Sequence, residues 1–161
     1  MYIKCKLNDK LSIFHGLHFP FVSRTKSSYR YESIIGIGGN VGDVKRCFEH
    51  LFFYFKRDVF VDIQKTSLIL KNPPFGYTKQ ADFFNSIMVL KTSLQPKEFL
   101  KHLMMVEKRF GRKRSFANAP RSLDLDIIFF DNRVINTKTL TVPHKSWSKR
   151  QSVVIPLAGL R

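Results

Sequence analysis

Cysteine, long hydrophobic runs and acidic side chains are all scarce in this chain of 161 residues. The only two cysteines, Cys5 and Cys47, are too few for a disulfide scaffold and lack the spacing of a metal site. No apolar run approaches the ~20 residues of a membrane-spanning helix. Lys4, Lys6 and Lys10 interrupt the region where a signal peptide would need an apolar core. We therefore expect one cytoplasmic domain with reduced thiols and no membrane partner.

The shortage of acidic residues gives the chain a strongly positive charge. Lys and Arg number 28 against 12 Asp and Glu, for a net charge of +16 and a pI near 10.2. This balance favours polyanionic partners, which include nucleic acid, phospholipid and nucleotide phosphates, without choosing among them. Six positive charges fall within fourteen residues: Lys108, Arg109, Arg112, Lys113, Arg114 and Arg121. The hydrophobic fraction of 43%, with 16 phenylalanines, is sufficient for a packed core.

Hydrophobic periodicity predicts an α+β fold. Strands are expected over residues 33–38, 59–70, 83–90 and 122–130, and amphipathic helices over residues 44–55 and 96–110. Loops are expected over residues 72–81 and 112–121. The order βαββαβ is typical of a ferredoxin-like core, a mainly antiparallel sheet with helices packed on it. Residues 1–32 show no sustained period and are interpreted as an N-terminal extension, which leaves residues 33–161 as the catalytic domain.

The sequence Arg121-Ser122-Leu123-Asp124-Leu125-Asp126 is the most informative stretch. Side chains alternate between the faces of a strand, so Asp124 and Asp126 share one face and the leucines point into the core. Two carboxylates on one face repel each other unless a cation lies between them, and Mg²⁺ binds carboxylates together with phosphate oxygens. The alternative is a solvent-facing edge strand that happens to be acidic. The basic loop that precedes the pair favours the metal site.

Three further motifs have ordinary structural explanations. Residues 36–42 are rich in glycine but depart from the GxGxxG pattern at Val41, so a tight strand-to-helix turn is the better interpretation than a dinucleotide site. A lone histidine such as His144 is more often a loop residue than a catalyst. Phe83 and Asn85 share a strand face. Such a pair is usually an aromatic residue of the core beside an amide whose hydrogen bonds are made within the protein. An aromatic ring beside an amide is also what a flat heterocycle requires.

Together these residues resemble those of the 6-hydroxymethyl-7,8-dihydropterin pyrophosphokinase family. The resemblance covers about residues 33–157. Its most specific part is the string Pro-Arg-Ser-Leu-Asp-Leu-Asp at residues 120–126, in the same order as the other motifs. Those other motifs are Gly38-Gly39-Asn40, Asn72-Pro73-Pro74-Phe75-Gly76, Phe83-x-Asn85, Glu107 with Gly111-Arg112, and Val142-Pro143-His144.

The resemblance implies transfer of pyrophosphate from ATP to the hydroxymethyl group of a reduced pterin, with release of AMP, in folate biosynthesis. It implies that Asp124 and Asp126 hold two Mg²⁺ ions, and that Arg112 and Arg121 act with them in catalysis. The ATP contacts that it implies are Glu107, Arg112, Arg114, Arg121, Ile127, Thr141, His144 and Arg150. The pterin contacts that we expect are Asn72, Pro74, Phe75, Phe83, Asn85 and Phe116.

The sequence departs from this family at the pterin site. Ser152 stands where a second stacking aromatic residue is expected, so we expect Phe75 or Phe116, ahead of Trp147, to cover the other face of the pterin. Missing aromatic residues also raise the alternative of a catalytically silent family member. Another alternative is a ferredoxin-like RNA-binding module, which the acidic pair disfavours because carboxylates repel a phosphate backbone. We therefore expect no nucleic-acid partner; the oligomeric state stays open, with a monomer slightly favoured.

Overall fold

The computed structural model describes residues 1–160 as an α+β fold built on one large sheet. Ten strands, three α-helices and a short 3-10 helix follow one another along the chain. The strands and helices are β1 (Ile3–Lys6), β2 (Ser12–His15), β3 (Phe21–Val22), β4 (Tyr31–Gly39), α1 (Val44–Lys56), β5 (Val61–Thr66), β6 (Ile69–Asn72), β7 (Phe83–Thr92), α2 (Pro96–Arg109), β8 (Asp124–Phe130), β9 (Ile135–Asn136), β10 (Thr141–Val142), the 3-10 helix Trp147–Lys149 and α3 (Gln151–Ala158).

Eight antiparallel strands form the main sheet, and β7 lies in its middle. β4 pairs with one side of β7 and β8 pairs with β4, whereas β5 and β6 pair with two different parts of the other side. The main core lies on the face covered by α1 and α2, and a smaller cluster around Ile87, Ile128 and Val153 lies under α3. This antiparallel arrangement is compatible with the predicted ferredoxin-like order.

Both long helices form where the apolar spacing predicts them. The side chain of Asp43 caps α1 by accepting a hydrogen bond from the backbone N–H of Arg46 (3.1 Å). Pro96 is the first residue of α2, a position where its missing N–H costs nothing. The α2 helix ends before Gly111, whose φ of +79° suits glycine. No helix within residues 1–160 is long and apolar enough to cross a membrane.

The prediction of one strand over residues 59–70 is wrong, because two strands form there. The chain leaves the first at Thr66 and enters the second at Ile69. At the break, the hydroxyl of Ser67 accepts a hydrogen bond from the N–H of Ile87 (2.9 Å) and bonds the hydroxyl of Ser86 (2.9 Å). A side chain here replaces a backbone partner, so β5 and β6 separate.

Residues 1–32 contribute strands that periodicity did not predict. β1 and β2 form a hairpin, β2 pairs with β6, and β3 pairs with β5. Phe19 is fully buried, with its ring centre 5.9 Å from that of Phe48 in α1. The segment is therefore packed on the sheet and shares its core, while its separation from a catalytic domain at residues 33–161 stays a prediction.

Candidate active site

Two neighbouring cavities open on one side of the sheet, at the start of β7 and β8. The first measures about 350 Å³ and lies among the double-proline loop (residues 72–81, with Pro73 and Pro74), β7 and the start of α3. The second measures about 740 Å³ and lies between α2, the basic loop (residues 112–121) and β8. Their shared lining residues are Asn118, Arg121, Asp124, Asp126 and Arg150. The two cavities therefore form one cleft with a common boundary, which can bring two small molecules together.

The two aspartates of β8 lie at that boundary, as strand alternation predicts. Leu123 and Leu125 are buried in the core, whereas Asp124 and Asp126 line the cleft. Opposite them, Gly38 of β4 pairs with Asp124, and Gly36 pairs with Asp126.

The glycines of β4 have a packing role that the sequence reading missed. A Cβ atom on Gly38 would lie 2.6 Å from the side-chain oxygen of Asn85, and a Cβ atom on Gly39 would lie 2.5 Å from the carbonyl oxygen of Ser122. Gly36 and Gly38 also line the first cavity. Bare backbone thus leaves space for both Asn85 and a ligand. The sequence did contain a signal for this role: repeated glycine inside an apolar strand indicates that another group lies close to the strand backbone.

Charge around the two aspartates is distributed unevenly. The guanidinium of Arg112 donates to Glu107 (2.7 Å) and to Asp124, and Nε of Arg121 lies 3.3 Å from the Asp124 carboxylate. No ion pair within residues 1–160 neutralises Asp126. Burial, with the negative charges of Asp124 and Glu107, raises the pKa of Asp126 to about 7. An added cation beside Asp126 would relieve this electrostatic cost.

The donor chemistry fits a magnesium site that shares its ligands with phosphate. Asp124 and Asp126 offer hard carboxylate oxygens on one face of β8. Within residues 1–160, no group of three His, Cys, Asp or Glu side chains could hold a metal ion by itself. Mg²⁺ ordinarily binds one or two carboxylates and completes its shell with water and substrate phosphates. The aspartate pair therefore suits a cation that arrives with a nucleotide.

The residues expected to contact ATP lie along one continuous channel. A third cavity of about 300 Å³ adjoins the second and contains Ile127 and Thr141. The second cavity contains Glu107, Arg112, Arg114, Arg121, His144 and Arg150. His144 lines both cavities, and its pKa is lowered by burial and by the charge of Arg150.

Glu107 has a distinct position among these residues. Only 4% of its surface is exposed. Its carboxylate accepts hydrogen bonds from Arg112 and from the backbone N–H of Leu125 (2.8 Å), between the two aspartates. Arg114 adds a longer ion pair at 3.6 Å. Glu107 thus orients the arginine and β8 in this structure.

Five of the six residues expected to contact pterin line the first cavity: Asn72, Pro74, Phe75, Phe83 and Asn85. Asn85 donates from its side-chain amide to the side-chain oxygen of Asn72 (2.7 Å). The structure places Phe116 in the second cavity instead. There its ring packs edge-on against that of Tyr77, with 5.3 Å between the ring centres.

Trp147 does not line the first cavity and packs against Phe129, with 5.0 Å between the ring centres. Of the three candidates for the second pterin face, only Phe75 therefore lines the first cavity.

Asn118 lines the site although sequence reasoning did not name it, and Asn40, named only as part of a motif, supports the site from outside the cavities. Asn40 donates to the carbonyl oxygen of Ala81 (3.0 Å) and accepts from the backbone N–H of Arg121 (3.0 Å), so it joins both loops. Asn118, with a φ of +58°, lines both cavities. Neither residue belongs to a periodic pattern; the available signals were a polar residue after a strand and an asparagine suited to positive φ.

Comparison with known proteins identifies the family. Residues 34–161 match the model of 7,8-dihydro-6-hydroxymethylpterin-pyrophosphokinase (HPPK). A 2-amino-4-hydroxy-6-hydroxymethyldihydropteridine pyrophosphokinase of Helicobacter pylori is 39% identical over 142 residues, which is 87% of each chain. The enzyme of the same name from Campylobacter jejuni is 42% identical over 139 residues, covering 86% of this chain and 88% of its own. The enzyme of that name from Aquifex aeolicus is 40% identical over 123 residues, 76% of each chain. This chain therefore belongs to the HPPK family.

Proposed function

We propose that this protein transfers pyrophosphate from ATP to 6-hydroxymethyl-7,8-dihydropterin, as a magnesium-dependent enzyme of folate biosynthesis. The products are AMP and the pterin pyrophosphate. Family membership supports the proposal, because the similar bacterial proteins carry the name of this activity. The observation that carries it is the boundary between the two cavities, where Arg121, Asp124 and Asp126 face both.

The reaction is a displacement at the β-phosphorus of ATP. The hydroxymethyl oxygen of the pterin forms a bond to this phosphorus, and the bond from the phosphorus to the oxygen bridging the α and β phosphates breaks. AMP leaves with the electron pair, and the hydroxyl proton is released. Catalysis of such a transfer depends chiefly on positioning and on stabilisation of negative charge. Neighbouring cavities with a charged boundary are suited to both tasks.

In this proposal, Asp124 and Asp126 hold two Mg²⁺ ions. When bound, these ions neutralise phosphate charge and orient the triphosphate. The raised pKa of Asp126 supports a cation there, since burial beside two other carboxylates makes an uncompensated charge costly.

Arg112 and Arg121 bind the phosphate oxygens, with Arg114 contributing from the exposed part of the same loop. A guanidinium can make two parallel hydrogen bonds to one phosphate group, which fixes orientation as well as charge. Nε of Arg121 is buried and makes no hydrogen bond among the described residues, although it lies 3.3 Å from the Asp124 carboxylate. Ile127, Thr141, His144 and Arg150 complete the nucleotide channel, and Glu107 orients Arg112.

The pterin occupies the first cavity, whose volume is within the usual range for a small-molecule site. The amides of Asn72 and Asn85 read the edge of the heterocycle, and Phe83 stacks on one face. Pro74 and Phe75 close the cavity from the loop.

Both cysteines are free thiols, which supports the cytoplasm as the location of the reaction.

An AMP-release assay tests the proposal. The purified chain is incubated with ATP, Mg²⁺ and reduced hydroxymethylpterin, and AMP is quantified by chromatography. We expect AMP and pterin pyrophosphate in equal amounts. A pterin without the hydroxymethyl group serves as one control and should give no AMP; the Asp126→Asn variant serves as another and should release AMP at least about 10²-fold more slowly. Absence of AMP from the wild-type chain, with both ligands shown to bind, would identify a catalytically silent family member and overturn the proposal.

A further inference from the structure

Strand β6, which carries Asn72 into the first cavity, is paired on both sides. On one side β7 pairs with it, placing Asn72 opposite Phe83. On the other side β2 pairs with it, placing Ile13 opposite Leu70. Without β2, this four-residue strand would be an edge strand that runs into two prolines. Short edge strands open readily, so β2 makes the strand that carries Asn72 more rigid.

The same hairpin, formed by β1 and β2, also packs behind β7. Phe84 lies between Phe83 and Asn85 in sequence, so its side chain points to the opposite face of the sheet. There its ring centre is 5.8 Å from that of Phe14 in β2. Phe14 is 7% exposed and belongs to the main core. Both strands that present pterin-site residues are thus in contact with the N-terminal hairpin.

Lys45, near the start of α1, stabilises the contact between Phe14 and Phe84. Its ammonium group lies 4.4 Å from the ring centre of Phe14, 5.0 Å from that of Tyr2 and 5.6 Å from that of Phe84. The hydroxyl of Tyr2 donates to the carbonyl oxygen of Lys45 (3.0 Å). A cation is attracted to the faces of aromatic rings, so Lys45 holds the hairpin, α1 and β7 together.

We propose that the N-terminal hairpin is a positioning element of the pterin cavity, with Phe14 as its principal residue. It acts through β6 and Phe84 to maintain the contact between Asn72 and Asn85. The inference rests on the proposed function, and it concerns a segment outside the family match, which begins at residue 34. The nucleotide channel, formed by the second and third cavities, is lined by α2, the basic loop, β8 and the chain after β8, and by no residue of the hairpin. The hairpin should therefore influence pterin binding and leave nucleotide binding unchanged.

A matched pair of variants in the full chain tests this inference. Phe14→Ala removes the ring behind β7, and Phe55→Ala removes a fully buried ring of the same core that lies outside all three cavities described above. Pterin affinity is titrated with Mg²⁺ and a non-hydrolysable ATP analogue present. We expect Phe14→Ala to raise the Kd for pterin by about tenfold and Phe55→Ala by less than about twofold, because small displacements of binding groups are costly. The Kd for the ATP analogue should stay constant in both.

Hydrogen exchange gives a readout that needs no ligand. Backbone amides of residues 69–72 should exchange faster in Phe14→Ala than in Phe55→Ala at equal thermal stability. If Phe14→Ala does not fold, Lys45→Met replaces it, with an expected increase of about threefold in the pterin Kd from loss of the cation–aromatic contacts.

Equal pterin Kd values in the Phe14→Ala and Phe55→Ala variants, or in Lys45→Met and wild type when Phe14→Ala does not fold, would overturn the inference. The outcome is separate from the AMP assay: a wild-type chain that binds pterin without releasing AMP overturns the proposed function, whereas these Kd values still decide the role of the hairpin.

Discussion

The guanidinium of Arg121 lies 4.9 Å from the centre of the Phe83 ring, at the boundary between the two cavities. The same side chain donates to the carbonyl oxygen of Ala119 (3.2 Å) and faces the carboxylate of Asp124. One arginine therefore contacts an aromatic residue of the expected pterin site and a carboxylate of the expected metal site. Its position connects the two expected sites through one side chain.

Replacement of Arg121 should lower the rate of transfer more than the loss of one charge explains. We expect Arg121→Met to reduce kcat by about 10²-fold, as removal of one preorganised donor does, and Arg121→Lys by about tenfold, since an ammonium lacks the planar fork. Arg109→Met is the matched control, because Arg109 is exposed at the end of α2. Steady-state AMP release measures the effect, and equal rates for Arg121→Lys and wild type would show that only the local field matters.

Substitution of either aspartate by asparagine should nearly abolish transfer without unfolding the protein. We expect a loss of at least about 10²-fold in kcat for Asp124→Asn and Asp126→Asn, because an amide binds a hard cation poorly. Mg²⁺ with an ATP analogue should raise the Tm of wild type and of Asp9→Asn, an exposed control, but should raise the Tm of the two site variants less. Most of the activity surviving at saturating Mg²⁺ would remove these residues from the metal site.

The sequence was sufficient to predict those helices and strands whose apolar residues recur at a regular spacing within the element itself. Spacing of Phe48, Leu51 and Phe55 predicts α1, and alternation around Leu125 predicts that Asp124 and Asp126 share a face. The break between β5 and β6 depends on hydrogen bonds to β7, which no local pattern contains. Strands β1, β2 and β3 are two to four residues long, so they have no period to detect; β2 forms against β6, β3 against β5, and β1 against β2.

The candidate site was predictable to a similar extent. Residue types and their order indicated the aspartates, the arginines and the pair Phe83 and Asn85. The tight fit of Gly38 against Asn85 arises between neighbouring strands and so became visible only in three dimensions. Which aromatic residue faces which cavity also depends on the path of two loops, which composition does not determine.

The double-proline loop and the basic loop should become protected together when substrates bind. Gln80 donates from its side-chain amide to the carbonyl oxygen of Asn118 (2.9 Å), and Tyr77 packs against Phe116. In wild type we expect slower hydrogen exchange over residues 72–81 and 111–121 with Mg²⁺, an ATP analogue and pterin, because closure excludes water. Gln80→Ala should weaken protection of the second loop. Unchanged exchange in both wild-type loops would contradict closure.

The two cysteines should differ in reactivity with pH. Burial and the charge of Asp43 raise the pKa of the Cys47 thiol to about 11, whereas Cys5 is exposed. Below that pKa, the thiolate fraction of Cys47 rises about tenfold for each pH unit. We expect iodoacetamide to label Cys5 first at pH 7.5 and the labelling of Cys47 to increase steadily up to pH 9. Peptide mass spectrometry with Cys5→Ser as control measures this, and equal labelling rates at pH 7.5 would refute it.

Phe75 and Phe116 should have different effects on pterin binding, although both are aromatic and exposed. Phe75 lines the first cavity beside Arg150, whose guanidinium lies 6.0 Å from its ring centre, whereas Phe116 lines the second. We expect Phe75→Ala to weaken pterin binding by about fivefold, a stacking contribution of about 1 kcal/mol, and Phe116→Ala to leave it unchanged.

Phe83→Ala and Asn85→Ala complete the series, in titrations with Mg²⁺ and an ATP analogue. Phe83 is only 7% exposed, so its loss should also destabilise the fold by about 3 kcal/mol, which denaturant unfolding separates from the binding effect. Asn85→Ala should weaken binding by about tenfold through loss of a hydrogen-bonding amide. If both folded variants keep the affinity of wild type, pterin does not occupy the first cavity, and an effect of Phe116→Ala alone would place it in the second.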